Sequence, residues 1–396
     1  MLDRAADIMR TIVRLRRLAA GMALVYVLDP AVARPARPDE IAIKIGPQVT
    51  ILSSGALGLT EFPDGAIAIV GTRSLVRLLL SSGVSSFLVE GSSLDSLKTA
   101  RCVLKPGRAG EYDNGYAGIC GVYRHRDAKL YAFYHAEDQE GMKRFGNLVP
   151  GYYSLVGAAV SGPGATAFEK LGPVVTSAQV KDPNGMPDQG CGEMCVVRDK
   201  TGRYLLMYYA DHSRINGRGV QICLARSPVG KRPPVPGTWK KYCRDGFTRD
   251  GLGGEDTPVV SVRSIPADAT FPHVTYSGAL RKYVMVFNIV AYLEHPVTGH
   301  EGRPEQSGIY TAYSDDGIAW SDPRQLIKAF SIPFKGRELA WHPTLIWDGE
   351  KSLGGWLVYS YTPSWGYDVP QESPHYMVGR RVEFRQVSTK VSRRTR

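Results

Sequence analysis

Several absences narrow what this chain of 396 residues can be. After residue 45 there is no convincing amphipathic helix, and after the N-terminal apolar run no second membrane segment follows. The cysteines lack the close pairing or neighbouring histidines of thiolate metal sites, and no strip of basic and aromatic residues suits nucleic acid. We therefore expect a protein that is not helical and has no stable membrane span, no nucleic-acid partner and no cofactor. The sequence does not decide whether it holds a central metal ion.

The chain is instead rich in glycine, proline and tyrosine, in a repeating pattern. Its 43 Gly and 26 Pro suit many turns, and 43% hydrophobic residues can form a large core. Between Gly46 and Ser388 one unit recurs: an apolar strand, a Tyr-rich strand, a strand ending in small polar residues and an aromatic-led strand. We count five copies, which predicts an all-β, five-bladed β-propeller over residues 46–388, with an all-β sandwich as the alternative. The third copy reads Met194–Val197, Tyr204–Tyr209, Val220–Ser227 and Trp239–Tyr242.

The first 33 residues have the features of a secretory signal peptide. A basic flank precedes the eleven-residue apolar run Leu18–Leu28, and Ala31–Ala33 offers a small-x-small cleavage site. The alternative is an amphipathic N-terminal helix. With cleavage after Ala33, residues 34–45 become a linker, residues 389–396 form a basic tail, and the protein is secreted or periplasmic. In that compartment the six cysteines permit three disulfides, for which Cys223 and Cys243 are the best-placed pair.

Acidic residues stand at the predicted starts of the innermost strands, where the chemistry of a propeller collects. Carboxylates that converge there repel each other, so that one can stay protonated while another stays ionised, as glycoside hydrolysis requires. Taken singly, an acidic residue in such a turn is also an ordinary turn former. The residues concerned are Asp64, Asp113, Glu193, Glu255, Asp256 and Glu338.

This arrangement resembles the five-bladed glycoside hydrolases, namely the arabinanase and xylosidase group of family 43 and the related fructosidase and levansucrase group. The resemblance implies that Asp64 is the general base or nucleophile, Asp113 a modulator or transition-state stabiliser, and Glu193 the proton donor. The motifs differ in places. The fructosidase group has Asn-Asp-Pro-Asn-Gly near its start, whereas this chain has Lys181–Gly185 in mid-chain, and a Met separates Glu193 from the next Cys. Family 43 has Pro after the second Asp, where this chain has Asn-Gly.

Sugar binding also needs apolar surfaces and neutral hydrogen-bonding groups. His273 and His342 occupy equivalent positions beside a Pro in the fourth and fifth repeats, and Trp341 adjoins the second of them. We predict substrate binding by these three residues together with His135 and Asp256, although a lone histidine is more often structural. The sequence thus favours a secreted glycosidase acting on furanose- or pentose-containing glycans. A glycoside phosphorylase or transglycosidase, and a non-catalytic glycan-binding propeller, remain alternatives.

Overall fold

The computed structural model describes eight stretches of the chain, and within them the protein is all-β, as predicted. Three short 3-10 turns, Ala56–Gly58, Leu94–Ser96 and Pro304–Gln306, are the helical elements of these stretches. None of their helices is long and apolar enough to cross a membrane. The predicted signal peptide, residues 34–40 of the predicted linker and the basic tail lie outside the described residues. The described residues are 41–71, 75–145, 149–213, 219–260, 267–291, 303–329, 337–365 and 374–387.

The strands form where β-branched, aromatic and other apolar residues alternate or run together, and Gly- and Asp-rich turns separate them. In chain order they are β1 Ile41–Leu52, β2 Ala68–Ile69, β3 Val76–Ser82, β4 Ser85–Gly91, β5 Leu97–Leu104, β6 Tyr116–Arg124, β7 Leu130–Asp138, β8 Arg144–Phe145, β9 Val149–Pro150, β10 Tyr152–Ser161, β11 Glu169–Val175, β12 Asp188–Arg198, β13 Tyr204–Asp211, β14 Gln221–Pro228, β15 Lys240–Cys243, β16 Gly246–Asp250, β17 Ala267–Ser277, β18 Lys282–Ala291, β19 Gly308–Ser314, β20 Arg324–Lys328, β21 Arg337–Trp347, β22 Gly354–Trp365 and β23 Tyr376–Gln386.

Most of these strands belong to antiparallel meanders of four strands each. The first is β2-β3-β4-β5, the fourth is β17-β18-β19-β20 and the fifth is β21-β22-β23-β1, each a separate sheet. The second, β6-β7-β10-β11, and the third, β12-β13-β14-β15, share a nine-stranded sheet with β16. They are joined because β10 and β12 pair in parallel through Tyr152–Ser154 and Asp188–Gly190. Strands β8 and β9 form a separate two-residue pair.

The fifth meander differs from the sequence prediction. We expected Tyr376–Gly379 and Val382–Phe384 to be separate third and fourth strands, but they form the single strand β23. The fourth strand is β1, which begins at Ile41 inside the predicted linker and pairs with β23 from Ile41 opposite Gln386 to Leu52 opposite Met377. Alternate apolar residues of β1 pack with the core of the fifth meander, which explains why the sheet begins before residue 46.

The core lies between meanders, because each sheet buries both of its faces. In β7, for example, Phe133 packs toward the third meander and Tyr134 toward the first. A two-sheet sandwich buries one face of each sheet, so the sandwich alternative does not describe this arrangement. Each fully buried aliphatic or aromatic side chain contributes about 1.5–3 kcal/mol to stability. Residues of successive meanders that share a core cluster include Leu79 and Ile119, Phe133 and Met207, Tyr208 and Met285, Val286 and Leu357, and Val358 and Leu80.

All six cysteines lie in the described stretches, and all six are free thiols. The expected pair does not form a disulfide. Cys243 donates a hydrogen bond to the Glu255 carbonyl oxygen at 3.0 Å, and Cys223 donates to Asp256 Oδ1 at 3.4 Å. The two thiols therefore serve as weak hydrogen-bond donors within the fold.

Candidate active site

Three residues with unusual backbone geometry occupy equivalent places in the first strands of the third, fourth and fifth meanders. Glu193, Phe271 and His342 have φ angles of 49°, 52° and 54°, in the left-handed region. Each lies at a register shift against the neighbouring strand, where a bulge re-aims the side chain. Such geometry costs on the order of 1–3 kcal/mol per residue and is concentrated at functional sites. The three bulges therefore indicate a functional centre shared by these meanders.

Asp64 comes from the turn before β2, in the first meander, and meets the fifth meander at His342. Its Oδ1 lies 3.3 Å from His342 Nε2, and its side chain is 42% exposed, which leaves it accessible to a ligand. The Tyr116 hydroxyl donates to the Asp64 carbonyl oxygen at 2.5 Å. Its partial burial acts to raise the pKa of Asp64, but the hydrogen bond and charge of His342, with Tyr116 and His135, outweigh this effect and lower the pKa. Asp64 is thus an ionised carboxylate with a histidine partner.

Glu193 lies on the bulge of β12 and contacts the second and fourth meanders. Its backbone N–H donates to His135 Nδ1 at 3.1 Å, and the Thr270 hydroxyl donates to its Oε2. A Cβ atom at Gly192 would lie only 2.0 Å from His135 Nδ1, so glycine is needed for this approach. His135 Nε2 in turn lies 3.1 Å from Glu137 Oε1. The side chain of Glu193 is 12% exposed, so the carboxylate is held in place but still reachable.

His212 is a site residue that sequence reasoning missed. It follows β13, where its backbone N–H donates to the Gly190 carbonyl oxygen at 2.9 Å, which places its ring beside β12. Its Nδ1 lies 3.2 Å from Asp188 Oδ2 and its Nε2 lies 3.7 Å from Glu193 Oε2. A signal was available: Asp211-His212 ends the second strand of the third repeat, much as His135 lies near the end of that strand in the second.

The two carboxylates do not have the electrostatics that the sequence predicted. Mutual repulsion was expected to drive their pKa values apart, but each one faces histidine instead. Burial acts to raise the pKa of Glu193, and the charge and hydrogen bond of His212, with His135 and Thr270, lower it below its ordinary value. Burial likewise acts to lower the pKa of His212, but Glu193 and Asp188 raise it to about 10. At neutral pH both carboxylates are therefore ionised, and a proton is held on His212.

We call Asp64, His135, Glu193, His212 and His342 the carboxylate–histidine cluster, and aromatic rings surround it. Phe271 packs on His342 at 4.1 Å between ring centroids and on Trp341 at 5.0 Å. Tyr116 meets His135 edge to face at 5.4 Å. His375 is a further neighbour that the sequence did not indicate: burial lowers its pKa, and the charge of Asp64 opposes that shift.

Three predicted residues are not brought to this cluster, and two of them are acidic. Asp113 is fully buried, and its Oδ2 lies 2.6 Å from Lys170 Nζ on β11 and accepts from the Tyr134 hydroxyl at 3.0 Å. Asp256 Oδ2 accepts from the Tyr209 hydroxyl at 2.6 Å and lies 3.4 Å from Lys241 Nζ. Each of these two carboxylates therefore pairs with a lysine and a tyrosine instead of a histidine of the cluster.

The third residue, His273, lies two residues after Phe271, but its contact is structural. Its Nδ1 accepts the Leu345 backbone N–H at 3.2 Å, which links the first strands of the fourth and fifth meanders. Burial lowers the pKa of His273 to about 4, so the ring is neutral and suited to this acceptor role. Of the eight predicted site residues, the structure therefore brings Asp64, His135, Glu193, Trp341 and His342 together.

Two cavities of about 530 Å³ lie away from the carboxylate–histidine cluster. One is lined by Lys105, Arg108 and Lys170 near the outer strands of the first and second meanders. The other lies beside Arg226, whose guanidinium stands 4.2 Å and 4.1 Å from the ring centroids of Tyr204 and Phe247. Neither cavity contains a residue of the cluster, and the clustering of carboxylates with histidines, rather than cavity size, identifies the candidate site.

No protein-family profile and no curated protein matches this chain. Solved structures similar to it are glycoside hydrolases, as the sequence resemblance predicted. A thermostable family-43 glycoside hydrolase is 12% identical with a TM-score of 0.45, over 83% of this chain and 90% of its own. The α-L-arabinofuranosidase PaAbf62A from Podospora anserina is 12% identical with a TM-score of 0.49, over 85% and 95%. The endo-arabinase from Bacteroides thetaiotaomicron is 13% identical with a TM-score of 0.45, over 87% and 99%. At these values the similarity assigns no activity or residue role to this chain.

Proposed function

We propose that this protein is a secreted glycosidase that cleaves furanose- or pentose-containing glycans at the carboxylate–histidine cluster. The observation that carries the proposal is the meeting of Asp64 and Glu193, from the first and third meanders, in one histidine-rich group next to Trp341 and Phe271. His135 lowers the pKa of both carboxylates, so it neighbours both. Two carboxylates and an aromatic surface are what hydrolysis of a glycosidic bond requires.

The proposal includes a five-bladed propeller in which the five meanders are the blades. Hydrogen bonds at or next to the first strands of neighbouring meanders support this arrangement. The Ile67 N–H donates to Thr344 Oγ1 at 2.9 Å, and so links the first meander to the fifth. The Val274 N–H donates to Cys195 Sγ at 3.1 Å, and so links the fourth to the third. Together with burial of both sheet faces, these contacts favour a ring of blades with the cluster near its axis.

The chemical environments suggest different roles for the two acids. Asp64 is more exposed and is ionised, which suits a general base that activates water or a nucleophile that attacks the sugar. Glu193 is less exposed and lies beside His212, whose proton it can receive and pass to the leaving group, which suits the acid of the reaction. Asp113 has no part in the proposal, because its buried ion pair with Lys170 gives it a structural role.

The test is a screen of the purified protein against nitrophenyl glycosides, arabinofuranosides first, followed by two variants. Glu193→Gln should lower turnover of substrates with poor leaving groups by about 10²–10⁴-fold and spare activated aryl glycosides, which need little protonation. Asp64→Asn should remove activity on both. Asp250→Asn is the control, since that side chain is 74% exposed at a distant surface. Glycan binding without turnover, unchanged in Glu193→Gln, would indicate a binding module instead.

A further inference from the structure

His212 is an imidazole enclosed between two carboxylates of the same strand. Only 5% of its side chain is exposed, compared with 28% for Asp188. Asp188 begins β12 and approaches Nδ1, while Glu193 lies five residues further along β12 and approaches Nε2. The backbone hydrogen bond from His212 to Gly190 holds the ring between them. A histidine is oriented for proton transfer when a carboxylate holds one ring nitrogen and the other ring nitrogen faces a reacting group.

We infer that His212, oriented by Asp188, is a positioning residue that stores the proton which Glu193 delivers to the leaving group. The inference rests on the proposed glycosidase function and deepens it. In this chain His212 then modulates the acid Glu193, a role that the sequence resemblance had assigned to Asp113. Asp113 is bound to Lys170, and no contact in the described residues joins it to Glu193.

Two of the groups around His212, Glu193 and Asp188, favour its charged form. Glu193 and Asp188 contact it directly, Asp211 precedes it in the chain, and Tyr152 lies edge to face at 6.4 Å between ring centroids. His135 is the other histidine beside Glu193, where its charge acts on the carboxylate rather than on the ring of His212. Burial lowers the pKa of His212, and the two carboxylates overcome this effect and raise it to about 10. The pair of His212 and Glu193 therefore holds one proton below pH about 10 and loses it above.

The proton balance of the reaction follows from this pair. When a sugar displaces water, the ion pair loses solvation and the neutral acid and imidazole become favoured. The proton moves from His212 Nε2 to Glu193 Oε2, and Glu193 gives it to the glycosidic oxygen. That oxygen leaves with the electrons of its bond to the anomeric carbon. Water then adds to the carbon and loses one proton, which returns through solvent to recharge His212.

The first test measures the charge of His212 without any need for turnover. Titration of the imidazole nitrogens by NMR should show His212 charged until pH about 10 in the wild-type protein. In Glu193→Gln the midpoint should fall by at least about one pH unit, because an opposite charge is removed. A midpoint near that of an ordinary histidine, or one that Glu193→Gln leaves unchanged, would overturn the inference.

The second test uses the pH profile of kcat/KM on a substrate with a poor leaving group. In His212→Gln the donor is Glu193 alone, so the alkaline limb should move to lower pH by several units. At pH 9 the loss should be on the order of 10²-fold or more, whereas near pH 5 it should be small, because Glu193 can then take its own proton. Asp188→Asn is the second variant and should shift the limb in the same direction, while KM changes little in both.

His125→Gln is the matched control, because His125 is also buried and has a carboxylate, Asp127, 3.1 Å from its Nδ1, but lies outside the cluster. It should leave the alkaline limb in place. A uniform loss of activity in His212→Gln with an unmoved limb would show a merely structural role and would refute the inference. If the wild-type protein turns over no glycoside, the proposed function fails, and the NMR titration still decides whether His212 holds the proton.

Discussion

Replacing Lys241 by Met tests how the third meander tolerates buried charge. The side chain of Lys241 is completely buried, and its ammonium lies 3.4 Å from Asp256 Oδ2 and donates to the Gly254 carbonyl oxygen at 2.6 Å. Asp211, Cys223 and Asp256 place donor atoms within 4.8 Å of one another, so this ammonium balances a crowded acidic group. Burial acts to lower the pKa of Lys241, but Asp256 and its neighbours raise it, and the lysine stays charged.

Lys241→Met should therefore destabilise the protein by about 3–5 kcal/mol, the usual cost of leaving a buried charge without its partner. Tyr209 still donates to Asp256 and offsets part of that cost, which favours the lower end of the range. The assay is urea unfolding followed by tryptophan fluorescence, with midpoints compared at equal slope.

The adjacent residue supplies a matched control. Lys240 also pairs with an aspartate, Asp250 at 2.5 Å, but the two side chains are 49% and 74% exposed. Lys240→Met should cost no more than about 1 kcal/mol, because solvent screens an exposed pair. The double variant Lys241→Met/Asp256→Asn should recover part of the loss by removing the orphaned carboxylate. Equal, small effects of Lys241→Met and Lys240→Met would refute the electrostatic reasoning.

Two further predictions concern the thiols and the turn that carries Asp64. Because burial raises the pKa of Cys120 and of Cys195 to about 12, both thiols should react slowly with a disulfide reagent in the native protein, and all six should react on unfolding; fewer than six would reveal a disulfide. Gly65→Ala should destabilise the protein by about 1–3 kcal/mol and lower activity, since Gly65 has φ 136° and a Cβ there would lie 2.9 Å from Cys120 Sγ. Gly162→Ala, which meets nothing within 4 Å, is the control in the same unfolding and activity assays.

The local sequence pattern was sufficient to predict most of the strands and part of the candidate site. The Tyr-rich second strands, such as β13 and β22, are long apolar segments between clear turns, and they form where the repeat predicted them. Asp64, Glu193 and His342 were identified because each stands near the start of a repeat unit. In the structure Glu193 and His342 lie on equivalent bulges and Asp64 lies in the turn before β2, so the repeat carries much of the information.

Residues in irregular turns were predicted less well. Asp113 and Asp256 occupy acidic turns like that of Asp64, yet they pair with Lys170 and Lys241 between sheets. Their composition does not distinguish them from Asp64, because a turn of one residue more or less reverses the direction of a side chain. His212 was overlooked for the opposite reason, since its position beside Glu193 depends on the pairing of β12 with β13.

The sequence by itself determined an all-β chain of repeated strands and the residue types of its candidate site, because alternation, turn composition and repetition are local properties. The tertiary structure decided which distant strands pair, which acids lie beside a histidine and which lie beside a lysine. It placed β1 against β23 and His212 between Asp188 and Glu193. Such contacts depend on strand register and on bulges that re-aim single side chains. These features arise only when distant segments pack together.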